Sequence, residues 1–307
     1  MTQLRVSIIL FDAFSNMVLA CLLEPLRVVR DQNGLDLSWT ILTEGDRPVD
    51  SSSGITVAPD MLKAEAKSAD LVLIIGGDVF RDHHKASALR NSLDPLIRNA
   101  TVIAADTGTW ILARCGYLNG RKATLHWQLL DEFAETFPDV QVSSDSFVRD
   151  GRYWTCGTAA AALDLMLDYI RSCFGPAVAM DAGAMFLHDS ARRHGASFPG
   201  QSFSFSASST FKHVLQIMSE TLEQPVPIAQ LAQAANMPER SFHRLFLQEL
   251  HMAPGKYYLL LRLARARELL RHTDLTRGEI ALRCGFTSAS TLARSFRTHH
   301  GISLREI

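Results

Sequence analysis

At 307 residues the chain is long for one domain, and two are expected. Its composition, 47% hydrophobic and 21% charged, suits a soluble globular protein with sizeable cores. No stretch reads as a membrane span. The apolar N-terminal run is broken by Asp12, Asn16 and Glu24, which argues against a signal peptide or anchor.

Five cysteines, Cys21, Cys115, Cys156, Cys173 and Cys284, show neither disulfide nor metal spacing. Free, mostly buried thiols, no metal, no cofactor and a cytoplasmic location are therefore expected. The net charge of −1 is unevenly spread. Residues 1–190 carry 16 Lys/Arg against 24 Asp/Glu, whereas residues 208–307 carry 13 against 8, with six histidines besides. An acidic front and a basic back point to different partners for the two halves.

In chain order, residues 4–11 read as a strand, 22–31 as a helix and 37–44 as a strand. Residues 69–77 form a strand ending in Gly76 and Gly77. A helix over 93–100, a strand over 101–106, a strand over 152–157 and a long helix over 158–174 follow. Continuous apolar strands between helices predict a doubly wound α/β domain with a mostly parallel sheet, spanning residues 1–190. Ligands of such sheets sit outside the carboxyl ends of the strands. Gly76, Gly77 and Asp106 all fall there. Residues 191–210, rich in Ser, Gly and Phe, read as a linker.

From residue 211 to 307 the pattern is helical throughout and contains an internal repeat. Leu231, Ala232, Ala235, Asn236 and Met237 match Ile280, Ala281, Cys284, Gly285 and Phe286 at an offset of 49. Phe242, Arg244 and Phe246 then match Leu292, Arg294 and Phe296 at 50, so the second turn holds one extra residue. Each unit is a helix, a turn and an amphipathic second helix, the layout that places the start of the second helix in the DNA major groove. Arg240, Ser241, His243 and Arg244 in the first unit are the candidate DNA contacts. Ser288, Ser290, Thr291 and Arg294 are those of the second. Arg grips guanine in bidentate fashion, and Ser or Thr reaches bases or phosphates. Arg262 and Arg265, on an intervening helix over 257–270, and Arg271 just after it are expected to meet phosphate or form surface salt bridges.

The segments "NMPERSFHRLFLQELHMAPGKYY" and "GFTSASTLARSFRTHHGIS" resemble the DNA-binding domain of the AraC family. Leu304 stands where that family's pattern places proline, and a short last helix is expected.

The turn "ADTGTW" poses a separate problem. On a strand-to-helix turn the exposed position usually holds a nucleophilic Ser or Cys; here it holds Asp106. The segments "LLEPLRVV", "LVLIIGG", "ADTGTWILARCGYLNGRKATLHW" and "GTAAAALDLML" resemble the sensor domain of GlxA-type AraC regulators, which has the fold of the ThiJ/PfpI branch of the class I glutamine amidotransferase-like superfamily. The resemblance implies a cysteine at the turn of the enzymes, beside a glutamate of the first helix. Glu24 matches that glutamate, and Asp106 replaces the cysteine.

A carboxylate is a far weaker nucleophile than a thiolate, so ligand recognition without turnover is expected. Glu24 and Asp106 sharing a pocket would call for a cation between them, or for one to stay protonated. Trp110 and Trp127 would complete an aromatic cage, and His126 of "TLHW" and Thr107 of the turn would line it. N–H groups after Gly76 and Gly77 would take a carboxylate. The alternatives for these residues are that Asp106 caps the following helix and that the tryptophans belong to the core. The "DTG" turn and "TLHW" resemble the branch of regulators that sense betaine, carnitine or related amines.

The expected protein is a ligand-responsive, sequence-specific transcriptional regulator, an activator by this resemblance. Its expected partners are double-stranded DNA, a small-molecule effector, a second copy in a homodimer and, for an activator, RNA polymerase, with no membrane. The rivals are a hydrolase or amidotransferase-like enzyme with a fused DNA-binding domain, and a constitutive architectural DNA binder.

Overall fold

The strands of the N-terminal part are rich in Val, Ile and Leu, whose bulky side chains pack well on a pleated surface. In the computed structural model, residues 3–33, 35–66, 68–78, 86–192, 209–250, 252–301 and 303–304 are described. The elements run β1 (Leu4–Leu10), α1 (Asn16–Asn33), β2 (Leu37–Thr43), β3 (Val49–Asp50), β4 (Thr56–Val57), β5 (Leu71–Ile75), α2 (Ala86–Ile97) and β6 (Thr101–Ala105). Then come α3 (Gly108–Arg114), β7 (Lys122–Ala123), α4 (Leu130–Thr136), β8 (Gln141–Val142), β9 (Phe147–Asp150), β10 (Tyr153–Cys156) and α5 (Ala159–Phe174).

Six strands form one sheet in the order β2-β1-β5-β6-β10-β9. Neighbours are parallel except β9, which runs antiparallel to β10 at the edge. Every residue of β5 and β10 is buried, as expected of strands covered on both faces. Ile9, Val72, Ile74, Val102 and Ala104 pack with apolar residues of α2, α3 and α4 in one cluster. Residues of the opposite parity, such as Ile8, Leu10, Leu73 and Ile75, point to the other face and are equally buried. α1 starts at Asn16, well before the helix expected over 22–31, because the Ser15 hydroxyl accepts the Val18 N–H and caps its first turn.

The second part consists of α6 (Pro176–Arg192), α7 (Ser209–Glu220), α8 (Ile228–Ala234), α9 (Glu239–Leu250), α10 (Pro254–His272), α11 (Arg277–Arg283) and α12 (Ala289–His300). Phe211, Phe242, Phe246, Leu260, Leu263, Ile280, Leu292 and Phe296 form its core. Phe246 lies 5.0 Å from Phe211 and 4.9 Å from Phe242, centroid to centroid. The chain divides into two compact units at Tyr169–Ile170. That division falls before the 190 expected from sequence, because Ala177 and Met180 of α6 are buried in the same cluster as the C-terminal helices. Most of the expected linker, 193–208, lies outside the described residues, as do His83 and His84. Leu304 is buried in a turn after α12, and residues 305–307 lie outside the described residues.

Candidate ligand site and candidate DNA interface

The order of the sheet reverses at β1. The chain passes from β1 to β2 on one side and then to β5 on the other. The crevice at such a switch lies outside the carboxyl ends of the strands, and sterics fix what is found there. A Cβ on Gly76 would stand 2.3 Å from the Thr107 hydroxyl oxygen, and one on Gly77 2.1 Å from the Asp12 carbonyl oxygen. Only glycine lets the ends of β1, β5 and β6 converge so closely. The Thr107 hydroxyl donates to the Gly77 carbonyl at 2.8 Å, tying β5 to the turn after β6. Gly157, after β10, plays the same part for the segment carrying His126: a Cβ there would lie 2.2 Å from the Leu125 carbonyl oxygen and 2.7 Å from the His126 backbone nitrogen.

Asp106 sits on that turn with φ of 56°. For a residue with a Cβ this left-handed conformation costs about 1–3 kcal/mol and persists only where the surroundings enforce it. Its N–H donates to the Cys156 carbonyl at 2.9 Å, which holds the turn against β10. The carboxyl group is partly buried, and burial pushes its pKa up. His126 opposes that shift, Asp78 adds to it, and the Thr107 N–H bonded to the carboxylate opposes it again. The cap position of α3 falls to Thr107, not to Asp106, and no side chain caps it.

The structure brings Gly76, Gly77, Asp106, Thr107 and His126 to the strand ends. It adds Asp78, which the sequence reading missed although it directly follows the Gly76-Gly77 pair. Trp127 is 67% exposed, with its ring 5.8 Å from that of His126. Trp110 is instead buried in the core, 5.6 Å from Phe133 and edge-on to Phe137 at 5.2 Å. The Glu24 carboxylate bonds the Arg27 Nε at 2.7 Å on the half-exposed face of α1. Residues 79–85, which would supply further N–H groups, lie outside the described residues.

Burial pushes the Cys115 thiol up to about 11. Cys156 is pushed up as well, by burial and then by the Asp106 charge. A nucleophilic thiol needs the opposite shift. Among the described residues no group of three or more His, Cys, Asp or Glu is placed to hold a metal, and no helix is long and apolar enough to cross a membrane.

In the second unit the repeat is realised where the first helix of each pair ends. The Met237 N–H donates to the Ala232 carbonyl at 3.1 Å, and the Phe286 N–H to the Ala281 carbonyl at 2.8 Å. Asn236 and Gly285 hold the left-handed position at φ of 52° and 69°. This is a helix ending closed by a left-handed residue. Beyond it the turns differ, 235–238 against 284–288.

On α9, Phe242 and Phe246 are buried while Arg240, His243 and Arg244 are exposed and Ser241 is half-buried. On α12, Leu292 and Phe296 are buried while Ser290, Thr291 and Arg294 are exposed. Ser288 is the N-cap of α12: its hydroxyl accepts the Thr291 N–H at 3.2 Å.

Arg262 corrects the expectation of a phosphate or surface contact. Its guanidinium donates to the Cys284 and Gly285 carbonyls at 2.7 and 2.6 Å and lies 4.2 Å above the Phe286 ring, so it braces the second turn. Arg265 pairs with Glu268 at 2.8 Å.

An α/β unit with a crevice at its strand ends, followed by two helix-turn-helix units in one chain, defines a transcriptional regulator. Residues 4–172 match the DJ-1/PfpI family, and residues 231–307 match a helix-turn-helix domain. The chain is 34% identical over 304 residues to the HTH-type transcriptional regulator CdhR of Pseudomonas aeruginosa, covering 96% of this chain and 88% of that protein. It is 31% identical over 304 residues to the HTH-type transcriptional regulator GlxA of Rhizobium meliloti, covering 95% and 92%. An AraC family transcriptional regulator from Pseudomonas putida shares the fold with a TM-score of 0.54 at 23% identity, over 60% of this chain and 99% of that one. The chain belongs to the GlxA-type AraC family of transcriptional regulators, with a DJ-1/PfpI domain as its N-terminal part.

Proposed function

We propose that the α/β unit binds a small amine or amino-acid-like zwitterion of the betaine or carnitine type, without converting it, and that this ligand sets the operator affinity of the helical unit. The observation that carries the reading is Asp106. It occupies the strained turn at the switch point, partly buried, with Asp78 and His126 acting on its charge. Two carboxylates at one opening favour a cation, and the exposed ring of Trp127 offers a π-face for a quaternary or guanidinium head. The resemblance to amine-sensing regulators supports the same ligand class.

Arg240, Ser241, His243 and Arg244 read one half of the operator in this proposal, and Ser290, Thr291 and Arg294 the other, with Ser288 fixing the start of α12. The regulator works as a cytoplasmic homodimer and as an activator that engages RNA polymerase. The ligand acts only through a difference in affinity between two arrangements of the protein.

Thermal unfolding of the full-length chain tests the sensor. Glycine betaine, carnitine, choline and arginine are each compared with an uncharged analogue. A ligand at 100 times its dissociation constant stabilises by about 2.7 kcal/mol. A shift with a cationic zwitterion that disappears in Asp106→Ala is expected. No shift with any compound removes this ligand class. Hydrolysis by the protein that is lost in Asp106→Ala would establish the enzymatic reading instead.

A further inference from the structure

Three buried ionisable side chains meet between helices of the second unit, and base reading does not use them. Asp181 of α6, Arg267 of α10 and His300 in the last turn of α12 are 5%, 4% and 8% exposed. The Asp181 Oδ2 accepts a hydrogen bond from the Arg267 Nη1 and lies 3.2 Å from the His300 Nδ1. The His300 ring stacks on Phe296 at 4.3 Å, and the Arg267 guanidinium lies 5.9 Å from the same ring. Phe296 is fully buried and forms the inner face of α12, whose outer face carries Arg294.

Among the described residues, the first helix-turn-helix unit has no such arrangement at the matching place. The offset of 50 sets His300 against Leu250, an apolar residue packed on the core at the end of α9. One reading helix ends in an apolar contact. The other ends on a carboxylate supplied from α6, outside the repeat. A buried ion pair adds little net stability, because desolvation offsets the attraction. What it does supply is one geometry in place of several, since a shifted α12 would take the His300 ring from the Asp181 carboxylate and the Phe296 ring from the Arg267 guanidinium.

We propose that Asp181 is a positioning residue for DNA recognition. Through Arg267 and His300 it fixes α12, and not α9, so that affinity for the half-site read by α12 is set from α6. The proposal rests on α9 and α12 being the base-reading helices.

The test uses full-length protein and a duplex selected by the wild type from a random pool, footprinted with hydroxyl radicals. Arg244→Ala and Arg294→Ala mark which half-site each helix reads. Asp181→Asn is expected to lose protection over the Arg294 half only, to weaken total binding about tenfold, a size typical of one lost set of base contacts, and to recover in Asp181→Glu. His300→Gln, which leaves the Asp181–Arg267 pair in place, is expected to lose the same half and is decisive if Asp181→Asn does not fold. Wild-type protection in either folded variant overturns the proposal. So does equal loss over both halves, which is the mark of a merely structural role. If Arg244→Ala and Arg294→Ala leave every footprint intact, the docking of the helices fails instead.

Discussion

Asp106 shows how much one side chain carries at the switch point. Its carboxyl group is held above the ordinary carboxylate range, chiefly by burial. Folding therefore favours its protonated form. The stability linked to it is fully present below the ordinary value of about 4 and is lost as pH rises through the raised value. Asp106→Asn removes that loss. The variant should unfold at a higher temperature than the wild type at pH 7, and the gap should close as the pH approaches 4, as differential scanning fluorimetry at the two pH values would show. An equal gap at both values would mean that the charge is not what the site opposes.

Gly77→Ala tests the other side of the crevice. With the Asp12 carbonyl oxygen 2.1 Å from the new methyl, backbone must move. A loss of about 3 kcal/mol or more is expected in chemical denaturation.

The turn and its two flanking glycines were legible because strand ends are marked by residue type. The rest of the crevice was not. Trp110 is one turn from Asp106 in sequence, yet its ring is claimed by Phe133 and Phe137, a contact that no local spacing announces. Glu24 has Arg27 one helical turn away, and its carboxylate accepts the Arg27 Nε–H.

At the scale of elements, long apolar runs were readable and short ones were not. The two-residue strands β3, β4, β7 and β8 carry no period to detect. The repeat was readable to the residue, and its matched pair Asn236 and Gly285 proves to share the left-handed conformation. What it hid is that the two positions are under different constraints. A Cβ on Gly285 would meet the Leu222 carbonyl oxygen at 2.5 Å and the Pro225 ring at 2.7 Å. Asn236→Gly should change the melting temperature little, since either residue adopts the left-handed conformation. Gly285→Asn should lower it clearly, because the clash is with backbone. Equal effects would show that φ alone decides both sites.

Caps follow the same logic. Ser288→Ala should cost about 1 kcal/mol of stability by removing the bond to the Thr291 N–H. Ser290→Ala, on the exposed face, should cost little, and a thermal melt of each separates the two roles.

For the molecule as a whole, charge and architecture agree. The basic residues of the second unit include Arg240, Arg244 and Arg294, all exposed on α9 and α12. Arg244→Ala and Arg294→Ala should each weaken specific binding by about 1–3 kcal/mol while leaving nonspecific binding nearly unchanged. Competition titration with selected and random duplexes at fixed salt measures both. The division of the chain was less legible, because α6 follows the α/β pattern directly while its buried residues Ala177 and Met180 belong with the later helices.

The unequal turns have a consequence for the DNA itself. Residues 284–288 bridge α11 and α12, whereas 235–238 suffice between α8 and α9. On the proposed docking, α9 and α12 also present different side chains, so a single chain cannot be turned end for end and fit the same sequence. On that docking, the stretch bound by one chain carries an arrow. Inverting that stretch within a promoter, with every base pair retained, would turn the chain bound there to face upstream instead of downstream.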